Sequence, residues 1–206
     1  SWCMAPEQLA DYRRAVTALK AEYAGRMEVY LGLEQDYDSP GTGPDWDYKI
    51  GSVHCLRLPD GTLLPLDESA ATLAAGVARW YGGDWTALAR AYYARVARVD
   101  AVTGGEIVGH FDLITKFNEG GAQFDEDDPA YREAAFAALD ELAARGRIFE
   151  INTGAVSRGY RTAPYPAPFL LRRLAGKGGR ILLSSDSHSA ATVLYGYREA
   201  ARLARD

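Results

Sequence analysis

Cysteine is nearly absent from this chain. Cys3 and Cys55 are the only two in 206 residues. Two thiols cannot build a disulfide framework, and neither stands in a CxxC pair, so disulfide-stapled and zinc-ribbon classes are excluded. A reducing, cytoplasmic setting is the expectation. Long apolar runs are also missing, so no membrane partner is expected. The opening Ser1-Trp2-Cys3-Met4-Ala5-Pro6 lacks the basic start and apolar core of a signal peptide. Nor is positive charge in excess: 23 Lys and Arg face 28 Asp and Glu, for a net charge of -5. That balance argues against nucleic acid as a partner. It leaves room for a small phosphorylated ligand, because an acidic protein can hold a locally positive pocket. Repeats, low-complexity tails and linkers are absent, so residues 1–206 are read as a single domain.

What is present is ordinary globular composition, 48% hydrophobic and 25% charged, in a chain long enough to bury a full core. Helical spacing of Leu9, Tyr12, Val16, Leu19 and Tyr23 after Pro6 predicts a first helix, stopped at Gly25. Strands are predicted at 27–33 and 49–58, the second ended by the turn Pro59-Asp60-Gly61. Helices follow at 66–81 and 84–101, with Asp84 as N-cap. Further strands are predicted at 107–114, 147–152 and 180–185. They alternate with helices at 129–145, 168–176 and 190–205. Strands alternating with helices predict an α/β fold with a parallel sheet. A barrel and an open doubly wound sheet both fit that pattern.

Polar residues favour the barrel. Histidine is scarce, and all three copies fall at or just beyond a predicted strand end: His54 in IGSVH, His110 in VGHFD and His188 in SSDSH. Glu34 ends YLGLE and Asp186 ends ILLSSD. A barrel gathers strand C-termini at one rim, where such groups would converge. Imidazole and carboxylate suit zinc, manganese or iron. In an extended segment Asp186 and His188 point the same way and can serve one cluster. Singly, each residue has a plainer reading: a hydrogen-bonded structural histidine, a turn-forming aspartate, a solvated glutamate. Their joint placement is what points to a metal or acid–base site.

In order along the chain, YLGLEQDY, IGSVH, GHFDLITKF, FEINTGAVSRGY with the following PYP, and ILLSSDSH resemble the histidinol-phosphatase branch of the PHP (polymerase and histidinol phosphatase) family. The resemblance runs from Tyr23 to the last helix. It implies a distorted (β/α)7 TIM-like barrel with two or three divalent ions (Zn, Mn or Fe) at its rim. Residue by residue, it makes Glu34, His54, His110, Asp186 and His188 metal ligands, with Glu34 bridging. Asp186 and His188 would also take part in catalysis, and Arg158 would bind the substrate phosphate, with Arg161 as an alternative. Asn152 and Lys116 are further groups within reach of a substrate. The family pattern opens with an HxH pair that this sequence lacks, so an N-terminally truncated domain is the expectation. The implied activity is that of a hydrolase acting on phosphoric monoesters, converting L-histidinol phosphate to L-histidinol and phosphate. Two other readings stand at this point: a related phosphoesterase for another small ester, and a non-catalytic relic that binds a partner.

Overall fold

The computed structural model describes residues 3–205. A short 3-10 turn leads into helix α1 (Leu9–Glu22). Strand β1 then covers Gly32–Asp36 rather than 27–33. The shift has a local cause. The Leu31 N–H donates to the Asp47 carboxylate and the Asp47 N–H returns to the Leu31 carbonyl, so regular pairing begins only beyond them. Glu34 is therefore inside the strand, not at its end.

Strand β2 is Tyr48–Ser52. The expected strand 49–58 divides there, because the His54 N–H is taken by the Asp36 carboxylate at 3.2 Å. Its second part becomes β3 (Cys55–Arg57), which pairs with β4 (Leu63–Pro65) in a separate antiparallel hairpin. Helices α2 (Ala70–Trp80) and α3 (Trp85–Val96) are capped by the side chains of Ser69 and Asp84. A short α4 (Val99–Thr103) precedes β5, which is only Ile107–Val108. Beyond it the His110 N–H donates to Glu150 Oε1 at 2.6 Å instead of to a neighbouring strand. Helix α5 (Pro129–Ala144), strand β6 (Ile148–Asn152) and a short α6 (Gly154–Ser157) follow. The chain continues through α7 (Pro168–Gly176), β7 (Arg180–Ser184) and α8 (Tyr197–Leu203).

Five strands form one parallel sheet in the order β1-β2-β5-β6-β7. The order follows the chain without reversal, so every strand C-terminus lies on one edge. The two faces differ. Phe149 packs in the main core, which includes Tyr92, Tyr93, Tyr131 and Leu139 from the helices, while Ile151 packs with Leu171 and Ala200. By strand alternation Glu150 and Asn152 face the other way, as do Glu34 and Ser52, which meet in a hydrogen bond. Close packing permits only glycine at 109, where a Cβ would meet Ser52 Oγ at 2.3 Å. The sheet thus has a helix-covered apolar face and a polar face that floors a cavity.

Candidate metal centre and active-site cavity

Three side chains meet on that floor. Glu34 projects from the middle of β1; His54 and His110 stand just past the ends of β2 and β5. Glu34 Oε1 lies 3.2 Å from His110 Nε2 and 3.6 Å from His54 Nε2. The Ser52 hydroxyl donates to the same oxygen at 2.6 Å. The imidazoles sit edge to face, with centroids 4.7 Å apart. One donor atom from each residue falls within 4.8 Å of the other two.

This arrangement fits a divalent cation. Donors about 2.1 Å from a tetrahedral ion stand about 3.4 Å apart, and the two Glu34–His distances bracket that value. Two imidazoles and a carboxylate suit zinc, manganese or iron. Cys55 also lines the cavity, but burial and the nearby Asp36 push its thiol up to about 11. With no metal beside it, the thiol is held in its protonated form.

The electrostatics point the same way. Burial alone would raise the Glu34 carboxyl. The hydrogen bond from His110, the charges of His110 and His54, and the Ser52 hydroxyl outweigh it and hold the group well below the usual carboxylate range. Solvent reaches 42% of this side chain, which lines the cavity. Burial would lower His110, yet Glu34, with the charges of Glu150 and Asp186, holds it up at about 9. Glu150 is 3% exposed, and burial raises its carboxyl. Without metal, the charge of Glu34 is met by His110.

The cavity measures about 1080 Å³ and brings in the remaining expected residues: Arg158, Asp186 and His188 all line it. Arg158 donates from Nη2 to Asp186 Oδ2 at 3.0 Å and from Nη1 to the Asp186 carbonyl at 2.9 Å. Its Nη1 is also 3.2 Å from His188 Nδ1. Asp186 adopts a left-handed φ of 45°, a conformation uncommon outside glycine, asparagine and aspartate. Gly154 makes room for the pair, since a Cβ there would meet Arg158 Nη2 at 2.7 Å and Asp186 Oδ2 at 2.8 Å. Asp186 and His188 stand outside the three-residue cluster.

The alternatives to Arg158 separate clearly. Arg161 is bound to the Thr115 carbonyl and to Glu126, away from the cavity lining. Asn152 links Glu150 to the Gly154 N–H. Lys116 lines the cavity while donating to the Asp67 carbonyl at 2.7 Å. Two neighbours of the cluster escaped the sequence reading. Asp36 receives His54 Nδ1 at 3.0 Å, and Glu150 receives the His110 N–H. The signals were there: Asp36 is two residues from Glu34 on a strand, and Glu150 interrupts the apolar run RIFEIN.

Comparison with known proteins adds the family. The chain is 35% identical over 214 residues to the "Probable histidinol-phosphatase" of Deinococcus radiodurans, covering 100% of this chain and 75% of that protein. The chain belongs to the histidinol-phosphatase family. The "Histidinol-phosphatase" of Bacillus subtilis is 26% identical, over 94% of this chain and 76% of its own length. A Schizosaccharomyces pombe relative is 28% identical, and the chain spans 62% of its length. No protein-family model matches. Among solved structures, a histidinol phosphatase candidate from Listeria monocytogenes superposes with a TM-score of 0.84 at 23% identity, over 95% of this chain and 77% of that one. The histidinol phosphate phosphatase of Lactococcus lactis gives a TM-score of 0.61 at 20% identity, over 96% of this chain and 73% of that one. At these identities the likeness speaks for the fold. The Lactococcus crystals hold zinc, L-histidinol and phosphate.

Proposed function

We propose that this protein is a metal-dependent phosphomonoesterase that hydrolyses L-histidinol phosphate to L-histidinol and phosphate. The observation that carries the reading is the Glu34–His54–His110 cluster on the floor of a cavity whose wall offers Arg158, in a chain of histidinol-phosphatase kinship. A divalent ion bound there would supply charge for the phosphate and a water acidic enough to be hydroxide near neutral pH.

The chain's own groups divide the remaining work. Arg158 presents a planar fork that binds phosphoryl oxygens in a two-pronged way. Asp186 holds that fork toward the cavity. His188, with 78% of its side chain open to solvent, delivers a proton to the leaving alkoxide oxygen as the P–O bond breaks. Asp186 also offers Oδ1, the oxygen Arg158 leaves open, to a second ion; His188 would join it as a ligand only in place of its acid role. The sequential strand order, with no switch point such as a doubly wound sheet requires, supports reading the sheet as an arc of a distorted (β/α)7 barrel and supports a place in the wider PHP class. No helix among the described residues is long and apolar enough to cross a membrane; we place the enzyme in the cytoplasm.

The test is phosphate release after metal stripping and reconstitution with zinc, manganese or iron, comparing L-histidinol phosphate with other small phosphate esters. Metal-dependent turnover that favours L-histidinol phosphate is expected. Equal turnover of unrelated esters would overturn the substrate, and turnover untouched by chelation would overturn the metal.

A further inference from the structure

We infer that Asp36 is a positioning residue that fixes the tautomer and orientation of His54, so that His54 Nε2 faces the cavity floor as a ready ligand. The inference rests on the metal reading above and extends it to a residue that touches neither ion nor substrate.

Asp36 closes β1, two residues after Glu34, so both carboxylates leave the strand on the same face. One oxygen, Oδ2, accepts twice from His54: from the backbone N–H at 3.2 Å and from ring Nδ1 at 3.0 Å. The other, Oδ1, accepts from the Asp38 N–H at 2.9 Å. One carboxylate thereby holds both the backbone and the ring of His54, at the point where the chain leaves the sheet. Both oxygens already accept from a backbone N–H, Oδ2 from His54 and Oδ1 from Asp38, so the group is set as an acceptor toward the ring as well. An ionised carboxylate only accepts. His54 Nδ1 must therefore carry the hydrogen, and in the neutral ring the lone pair sits on Nε2. That atom lies 3.6 Å from Glu34 Oε1, on the floor. A carboxylate on the far nitrogen also makes an imidazole a stronger donor to a metal.

The plainer role for Asp36 is to tie down the loop that follows β1. That role predicts lost stability and nothing else, so the test must read the ring. The chain has three histidines, few enough for each imidazole to be followed by nitrogen-15 NMR. In the metal-stripped wild type, His54 is expected as the Nδ1–H form at a pH where it is neutral. Asp36→Ala should lose that preference and weaken zinc affinity, measured against a chromophoric chelator, by about 10–100-fold. Asp36→Asn keeps a carbonyl oxygen for the two bonds from His54 and loses the acceptor of the Asp38 N–H. It should keep the tautomer and lose less affinity. Unchanged tautomer and zinc affinity in Asp36→Ala, with only a lower melting temperature, would overturn the inference, as would an Nε2–H form in the wild type. If wild-type protein takes up no zinc, the metal reading fails, and the NMR tautomer still decides whether Asp36 holds His54.

Discussion

The two sides of the cavity are built differently. On the β1–β2–β5 side, each group at the floor has a partner behind it: Ser52 on Glu34, Asp36 on His54, and Glu150 on the His110 backbone. His54 and His110 are 8% and 5% exposed. On the β6–β7 side, Arg158, Asp186 and His188 lean mainly on one another. They stand after strand ends, and His188 is largely open to solvent. A cation needs fixed donors at fixed distances, which strands and buried partners provide. A substrate that enters and leaves needs groups that can yield, which loops provide.

The largest effect should come from the fixed side. His110→Ala or Glu34→Ala should abolish metal uptake at the floor and activity together, by more than the roughly 10–100-fold typical of outer partners. Metal analysis beside kcat/KM measures it. Full metal content in either variant would erase the contrast between the sides.

Next comes the yielding side. Arg158→Ala should lower kcat/KM about 10–100-fold, the cost of one charge-assisted bond, while leaving zinc at the floor. Gly154→Ala should act in the same direction by parting Arg158 from Asp186. Loss of floor metal in Arg158→Ala would mean that the two sides are one unit.

The pH dependence sharpens the same division. His110 must shed its proton to bind metal, and Glu34 holds that proton until about pH 9. Zinc affinity should therefore rise with pH from 6 toward 9, by up to about tenfold per unit. In metal-free protein the sign reverses. A raised histidine stabilises the fold fully below about pH 6.5, its usual value, and that contribution disappears as pH climbs through about 9. Thermal melts with and without zinc across this range should diverge.

The smallest effect concerns a cost carried behind the floor. Asp112 is 1% exposed, its Oδ1 has no hydrogen-bond partner, and burial pushes its carboxyl up to about 7. A raised carboxyl destabilises the fold increasingly as pH rises from about 4 toward 7. Asp112→Asn should then add about 1 kcal/mol at pH 8, or about 2–4 °C in Tm, and less at pH 5. A stabilisation independent of pH would remove ionisation as the cause.

Much of this was legible in the sequence, and the misses share a cause. The helix starts at the Asp84 cap and at Pro129, the first residue after the Asp128 cap, sit where local chemistry puts them, because capping depends on neighbours within one turn. His54 and His110 stand just past strand ends, as scarce polar residues at the ends of apolar runs indicated, whereas Glu34 lies inside its strand. The strand limits did not follow, since Asp47, Asp36 and Glu150 capture backbone donors from residues 16 to 40 positions away. Propensity and periodicity see only local sequence. The hold of Arg158 on Asp186, 28 positions apart, was hidden for the same reason.

The central claim is that Glu34, His54 and His110 form a preorganised metal centre. Crystals of the protein soaked in zinc, with anomalous scattering collected at the zinc edge, test it most directly. The account predicts a peak bonded to Nε2 of both histidines and to the Glu34 carboxylate at roughly 2.0–2.2 Å, with Asp36 still on His54 Nδ1. Zinc bound only elsewhere, with the three side chains keeping their present hydrogen bonds, would contradict it.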